Sequence, residues 1–107
     1  HMLRLARHCA VGLAAGGRPA AVAPALRMAA GVRDSAGLSA EARLRNLAGR
    51  IRPDPGGLPP RGSRVVLLDD VVTTGITAAA CVAGLRGAGI EVGCVLALTA
   101  VASASPT

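Results

Sequence analysis

The stretch Val65-Val66-Leu67-Leu68-Asp69-Asp70-Val71-Val72-Thr73-Thr74-Gly75-Ile76-Thr77 decides how this chain is read. It opens with four consecutive apolar residues after Arg64. A short run of that kind suits a strand covered on both faces in a parallel sheet. Two carboxylates close the run. Beyond Gly75, Ile76 to Arg86 reads as a helix closed by Gly87 and Gly89, and Glu91 to Thr99 reads as a second apolar strand. Arg64 to Thr99 is therefore a strand–loop–helix–strand unit, the crossover of a parallel sheet.

In open parallel sheets, ligands bind beyond the carboxyl ends of the strands. Asp69 and Asp70 fall at such an end, where carboxylates accept hydrogen bonds from sugar hydroxyls. Thr73, Thr74, Gly75, Ile76 and Thr77 then enter the helix. A helix N-terminus offers unpaired N–H groups and a partial positive charge. Gly75 lets a ligand approach the backbone, and the Thr hydroxyls add donors. This combination makes a phosphate cradle. Diol acceptors beside a phosphate cradle describe a ribose 5-phosphate site. The plainer alternative is a buried strand ended by surface acids, with a Thr as an ordinary helix N-cap.

Outward from this unit, Leu3 to Ala15 reads as a helix with Leu3, Ala6, Ala10 and Leu13 on one face, ended by Gly16-Gly17. Ala21 to Ala29 is extended in character, with Pro24 a weakness in a central strand. Gly31 to Gly37 is a polar loop. Ser39 is an N-cap for a short helix, Ala40 to Leu47. Gly49 to Arg52 suits a short strand, and Pro53 to Gly62 is a turn too short to separate domains. The chain reads as one domain over residues 3–99. His1-Met2 resembles a cloning remnant, and residues 100–107 are expected to form a flexible tail.

The 107 residues fit one small domain. Half the residues, 51%, are hydrophobic and 17% are charged, which excludes most disordered chains. Aromatic residues are absent. That disfavours the single-strand RNA modules that stack bases on rings. The core must be built from Ala, Val, Leu and Ile. No apolar run is long enough for a membrane span. Cys9, Cys81 and Cys94 form neither a zinc framework nor a disulfide scaffold, and scattered thiols suit the reducing cytoplasm. Cys81 and Cys94 are expected in the core. His8 is expected on the surface or in packing. All 12 basic residues are Arg, against 6 acids, for a net charge of +6. They are dispersed from Arg4 to Arg86 with no run of three. Solvated surface charge is the favoured reading, and contact with nucleic-acid phosphates is the weaker one. Arg61 and Arg64 are read as the solvent end of the strand they flank.

The quoted 13 residues resemble the phosphoribosyl pyrophosphate (PRPP) motif of type I phosphoribosyltransferases: four apolar residues, two acids, then T-T-G. Upstream, Gly37-Leu38-Ser39-Ala40-Glu41-Ala42-Arg43-Leu44-Arg45-Asn46-Leu47 resembles the ComF (competence protein F) branch, which carries a G-L-S-x-x-x-R-x-x-N segment. The resemblance runs from about Leu3 to Leu98. It implies an α/β fold: an open, mainly parallel sheet flanked by helices. It further implies that Asp69 and Asp70 bind the ribose 2′ and 3′ hydroxyls. Mg²⁺, the implied cofactor, bridges ribose and pyrophosphate oxygens near these acids and is not held directly by the protein. Val71 and the segment from Val72 to Thr77, with Thr73, Thr74, Gly75 and Ile76, would hold the 5′-phosphate. Ser39, Arg43, Arg45 and Asn46 would lie on or beside the mobile loop that closes over pyrophosphate. Asp69, Asp70, Arg43 and Arg45 become the catalytic candidates, acting by positioning and charge stabilisation as C1′ gains oxocarbenium character.

The departures narrow the reading. Oxopurine transferases typically have an Asp general base where Thr73 stands, so hypoxanthine or guanine salvage is disfavoured. ComF-like loops usually carry Gln in place of Ser35, and an N-terminal Cys cluster is absent. The family's first strand and pyrophosphate loop precede the point at which this chain begins. The expected sheet thus lacks its first strand, and its open edge suggests a homodimer. The leading expectation is a Mg²⁺-dependent transferase that moves phosphoribose to an unidentified nitrogen nucleophile. Alternatives are a regulatory module that binds PRPP or ribose phosphate without turnover, and a DNA-uptake accessory protein that binds nucleic acid. The basic surface would also steer anionic PRPP.

Overall fold

The computed structural model of this chain describes residues 1–30, 37, 39–72 and 75–100. Its elements are α1 (Met2–Ala15), β1 (Leu26–Met28), α2 (Ala40–Ala48), β2 (Ile51–Pro53), β3 (Val65–Val72), α3 (Ile76–Gly87) and β4 (Val92–Ala100). The expected order of helices and strands is present, and the chain is a small α/β protein. The crossover also forms: β3 and β4 pair in parallel, with α3 between them in sequence and packed on both.

The expected single open sheet does not form among the described residues. The strands pair as two separate two-stranded sheets, β1 with β2 antiparallel and β3 with β4 parallel. The reason lies in β1 and β2. Each has only three residues. Pro24 sits just before β1, and Pro53 ends β2 without a donor for a further strand. These segments make a short ribbon and do not extend the parallel pair.

Local chemistry sets the boundaries of the elements. The Ser39 Oγ accepts a hydrogen bond from Ala42 N at 3.1 Å and starts α2, with Glu41 favourable in its first turn. In α3, Gly87 ends the helix, and the N–H of Ile90 donates back to Leu85 O at 2.9 Å. In β4, Gly93 is the extra residue of a bulge, because Val65 faces Val92 while Val66 faces Cys94.

The core lies at one end of the molecule. Ala25, Ile51, Leu85 and Ile90 are the buried hydrophobics among the described residues. Leu26, Leu58, Val65 and Val92 pack around Ala25, Leu85 and Ile90. This cluster gathers the last turn of α3, the start of β3 and β4, and the β1 ribbon. The turn Pro55–Gly57 leans on it closely enough that a Cβ on Gly57 would stand 2.0 Å from the Pro24 carbonyl oxygen. That contact is with backbone, so no side-chain rotation relieves it. Gly57→Ala is therefore expected to destabilise the fold by about 1–3 kcal/mol, the range for overpacking. Thermal melting followed by circular dichroism checks this.

One expectation about burial fails. Cys94 is exposed, not in the core. The register puts Val66, Leu68 and Asp70 of β3 on one face with Cys94 and Leu96 of β4, opposite the face that carries Asp69. Exposures of 52% at Val66, 56% at Leu96 and 62% at Leu98 show that much of this face is uncovered. The helix α1 also buries none of its residues, and both Leu3 and Leu13 are exposed. It has no side-chain cap, and Arg4 sits in its first turn against the dipole. Cys81 is half-buried and His8 is exposed.

Candidate functional site at the end of β3

The site candidates lie at the opposite end of β3 and α3 from the core. Asp69 and Asp70 are not the last residues of the strand, because β3 continues to Val72. The β-branched pair Val71-Val72 favours continued extension. Since successive side chains of a strand alternate, the two carboxylates point to opposite faces. Asp69 is on the α3 side, near enough to Cys81 for its charge to act on that thiol. Asp70 is on the other side, with His1 Nε2 at 3.8 Å from its Oδ2. That contact is long and exposed on both sides, so it adds little to stability. The backbone carbonyl of Asp70 accepts a hydrogen bond from Thr99 Oγ1 at 3.2 Å, which ties β4 to the strand end.

Gly75 precedes α3 with φ +79° and ψ 1°. That left-handed conformation is why glycine stands here. No atom of the described residues lies within 4 Å of where its Cβ would be, so among them the backbone is open on that side. The helix opens with the Ala79 N–H donating to the Gly75 carbonyl at 2.9 Å. Gly75, as the N-cap, has no side chain to offer, and the first turn of α3 holds no acidic residue. The positive end of the helix dipole is therefore not offset within its own first turn. Thr77 is half-buried in that turn. Thr73, Thr74 and Ser35 lie outside the described residues.

The expected loop residues are on α2. Ser39 is its N-cap, Arg43 is exposed and Asn46 is half-buried. Arg45 pairs with Glu41 at 2.7 Å. The helix α2 packs on α3. The structure thus brings Asp69, Gly75, Ile76 and Thr77 to one end of the β3–α3 unit and sets Arg43, Arg45 and Asn46 on the neighbouring helix.

The chemistry of the donor set bears on Mg²⁺. Two adjacent carboxylates on opposite faces of an extended strand do not converge on one ion. No group of three or more His, Cys, Asp or Glu among the described residues could hold a metal. These residues do not form a metal site of their own. A metal carried by the ligand's own phosphate oxygens is a different case and needs no such cluster.

Cys81 is a residue whose place in this site the sequence did not reveal. Burial first, and then the Asp69 charge, push its thiol pKa above the ordinary value. A raised pKa means less thiolate at neutral pH and slower alkylation. Cys81 is therefore expected to react more slowly with iodoacetamide than the exposed Cys9 and Cys94. Asp69→Asn should accelerate Cys81 alone, as peptide mass spectrometry would show.

The fold and site define a class: a small α/β protein with a parallel crossover and a polar end where β3 meets α3. No protein-family model matches the chain, and neither does any curated protein or solved structure. No helix among the described residues is long and apolar enough to cross a membrane.

Proposed function

We propose that the β3–α3 junction binds a ribose 5-phosphate group, presented as the magnesium complex of PRPP, and that the protein transfers the phosphoribosyl group to a nitrogen nucleophile. The observation that carries this reading is the Asp69 carboxylate on the α3 side of β3, at the end where Gly75 opens α3. A ribose hydroxyl donates to Asp69. The 5′-phosphate accepts from N–H groups of the first turn of α3 and from the Thr77 hydroxyl. Positioning then does most of the work. The C1′–O bond breaks and pyrophosphate leaves with the electron pair. The nitrogen lone pair forms the C1′–N bond, and the nitrogen gives up its proton to solvent. Magnesium enters as part of the substrate and neutralises the leaving pyrophosphate. On the same reading, Arg43 of α2 meets the pyrophosphate.

A second reading is a module that binds the same ligand without turnover. The Arg45–Glu41 pair favours it, since this guanidinium is already engaged. Release of pyrophosphate from the magnesium–PRPP complex, measured with a panel of amines and nitrogen heterocycles, separates the two. Release that depends on an acceptor supports transfer. Binding without release supports the module.

A further inference from the structure

The β1–β2 ribbon carries a charge arrangement that the site above does not use. Its register places Arg27 directly opposite Arg52, with Leu26 opposite Pro53 and Met28 opposite Ile51. Directly opposed residues on antiparallel strands share a face and have Cα atoms about 4.5–5.5 Å apart. Like charges so placed repel and destabilise the pair. Both side chains are exposed. The ladder extends one step further, since Ala29 N donates to Arg50 O at 2.7 Å. Arg50 precedes Arg52 by two residues and so lies on the same face. Three arginines therefore lie on one side of a very short ribbon, with Arg50 half-buried just before β2, and by the same alternation Asp54, whose N–H donates to Ala25 O at 2.7 Å, shares that side.

No ion pair among the described residues neutralises them. The ion pairs among the described residues join His1 to Asp70, Arg45 to Glu41 and Arg86 to Glu91, and none involves the ribbon. Arg50 Nε donates to Ala29 O at 3.1 Å, and Arg52 Nη1 donates to the carbonyls of Gly49 and Ile51 at 2.7 and 2.9 Å. These bonds hold two of the guanidinium groups in place and leave donors on each. The nearest acid in sequence, Asp54, turns its Oδ1 to Gly56 N at 3.1 Å. The opposite face of the ribbon is anchored: Ile51 is buried and Leu26 packs on the core. The arginines are thus presented outward from a fixed support.

We infer that the outer face of the β1–β2 ribbon, through Arg27, Arg52 and Arg50, is a docking surface for the phosphate backbone of duplex nucleic acid. Arginine forks bind phosphate oxygens bidentately, and an anion between Arg27 and Arg52 converts their repulsion into attraction. A duplex is favoured over a single strand because the chain has no aromatic ring on which to stack bases. It is favoured over a lipid surface because, among the described residues, the arginines share their side of the ribbon with no large apolar side chain, and the exposed Met28 stands alone on the other side. Backbone binding needs neither feature. This surface is independent of the β3–α3 junction.

The test is fluorescence anisotropy of a short labelled DNA duplex of mixed sequence, titrated with the whole chain at several salt concentrations. Arg27→Gln/Arg52→Gln is compared with Arg4→Gln/Arg18→Gln, which removes the same two charges elsewhere (6 − 2 = +4 in both). The ribbon variant is expected to lose about tenfold or more in affinity. Its log–log salt slope should fall by about 1.8, the value for two phosphate contacts. The control should keep the wild-type slope. The substitution relieves a repulsion and removes the Arg52 bonds to the carbonyls of Gly49 and Ile51, so the ribbon variant should melt close to the wild type. Single Arg27→Gln should lower the slope by about 0.9. Equal losses in both double variants would reduce the effect to net charge and overturn the proposal. So would a wild type that does not bind the duplex, or an unchanged slope in the ribbon variants. Vesicles of anionic phospholipid form a second arm, and binding there in preference to the duplex also overturns it.

Discussion

Asp69→Asn is expected to weaken ribose 5-phosphate binding about 10- to 100-fold, while Asp70→Asn changes it by less than about threefold. The magnitude is that of one hydrogen bond to a charged group, about 1.5–3 kcal/mol, at 1.4 kcal/mol per factor of ten. The asymmetry comes from the structure. The motif resemblance gives both acids the same task, but an extended β3 turns only Asp69 towards α3. Asn keeps the shape of the side chain and removes the charge, and circular dichroism of each variant checks that the fold is kept. Isothermal titration of each single variant reads the difference directly, and suits a chain without Trp or Tyr. Equal losses at the two positions would mean that the end of β3 rearranges so that both carboxylates face one ligand.

Leu85→Ala is expected to cost about 2–5 kcal/mol. Leu85 is 2% exposed and is the most buried residue of the core. It joins the last turn of α3 to Ala25 and Ile90, with β3 and β4 beside them. Among the described residues only Ala25, Ile51 and Ile90 are buried with it, so there is little to compensate for its loss. For a domain of this size each kcal/mol moves Tm by about 4–8 °C. A total stability at the low end of the usual range, about 5 kcal/mol, would be largely consumed. Circular dichroism should show a Tm lowered by at least about 8 °C, or no cooperative transition. A shift of a degree or two would mean that the cluster around Leu85 does not hold the fold together.

Much of the local structure was legible because each element carries its own signals. The Ser39 cap, the Gly-bounded end of α3 and the apolar run from Val65 all act over a few residues, and the helices and strands fall within a few residues of where those signals put them. The strand continues beyond Asp69 and Asp70 because Val71 and Val72 are β-branched, a preference that two intervening acids, poor strand formers, obscure in the sequence. Sheet order was not legible. Pairing partners depend on distant segments, and the Pro residues flanking β1 and β2 give the length of those strands without saying which neighbour they choose. The exposure of Cys94 has the same origin, since an apolar strand looks buried in sequence whether or not a helix covers both faces. The Arg27–Arg52 pair was hidden because residues 25 positions apart meet only once the register is known.

The most direct test of the central claim is calorimetric titration of ribose 5-phosphate, and separately of the magnesium–PRPP complex, into the wild-type chain. Saturable binding of ribose 5-phosphate is the expected result, with loss on Asp69→Asn and little change on Asp70→Asn. Tighter binding of PRPP would add a pyrophosphate contact to the ribose-phosphate site. No heat with either ligand, under conditions where the chain is folded by circular dichroism, would contradict a ribose-phosphate site at the β3–α3 junction.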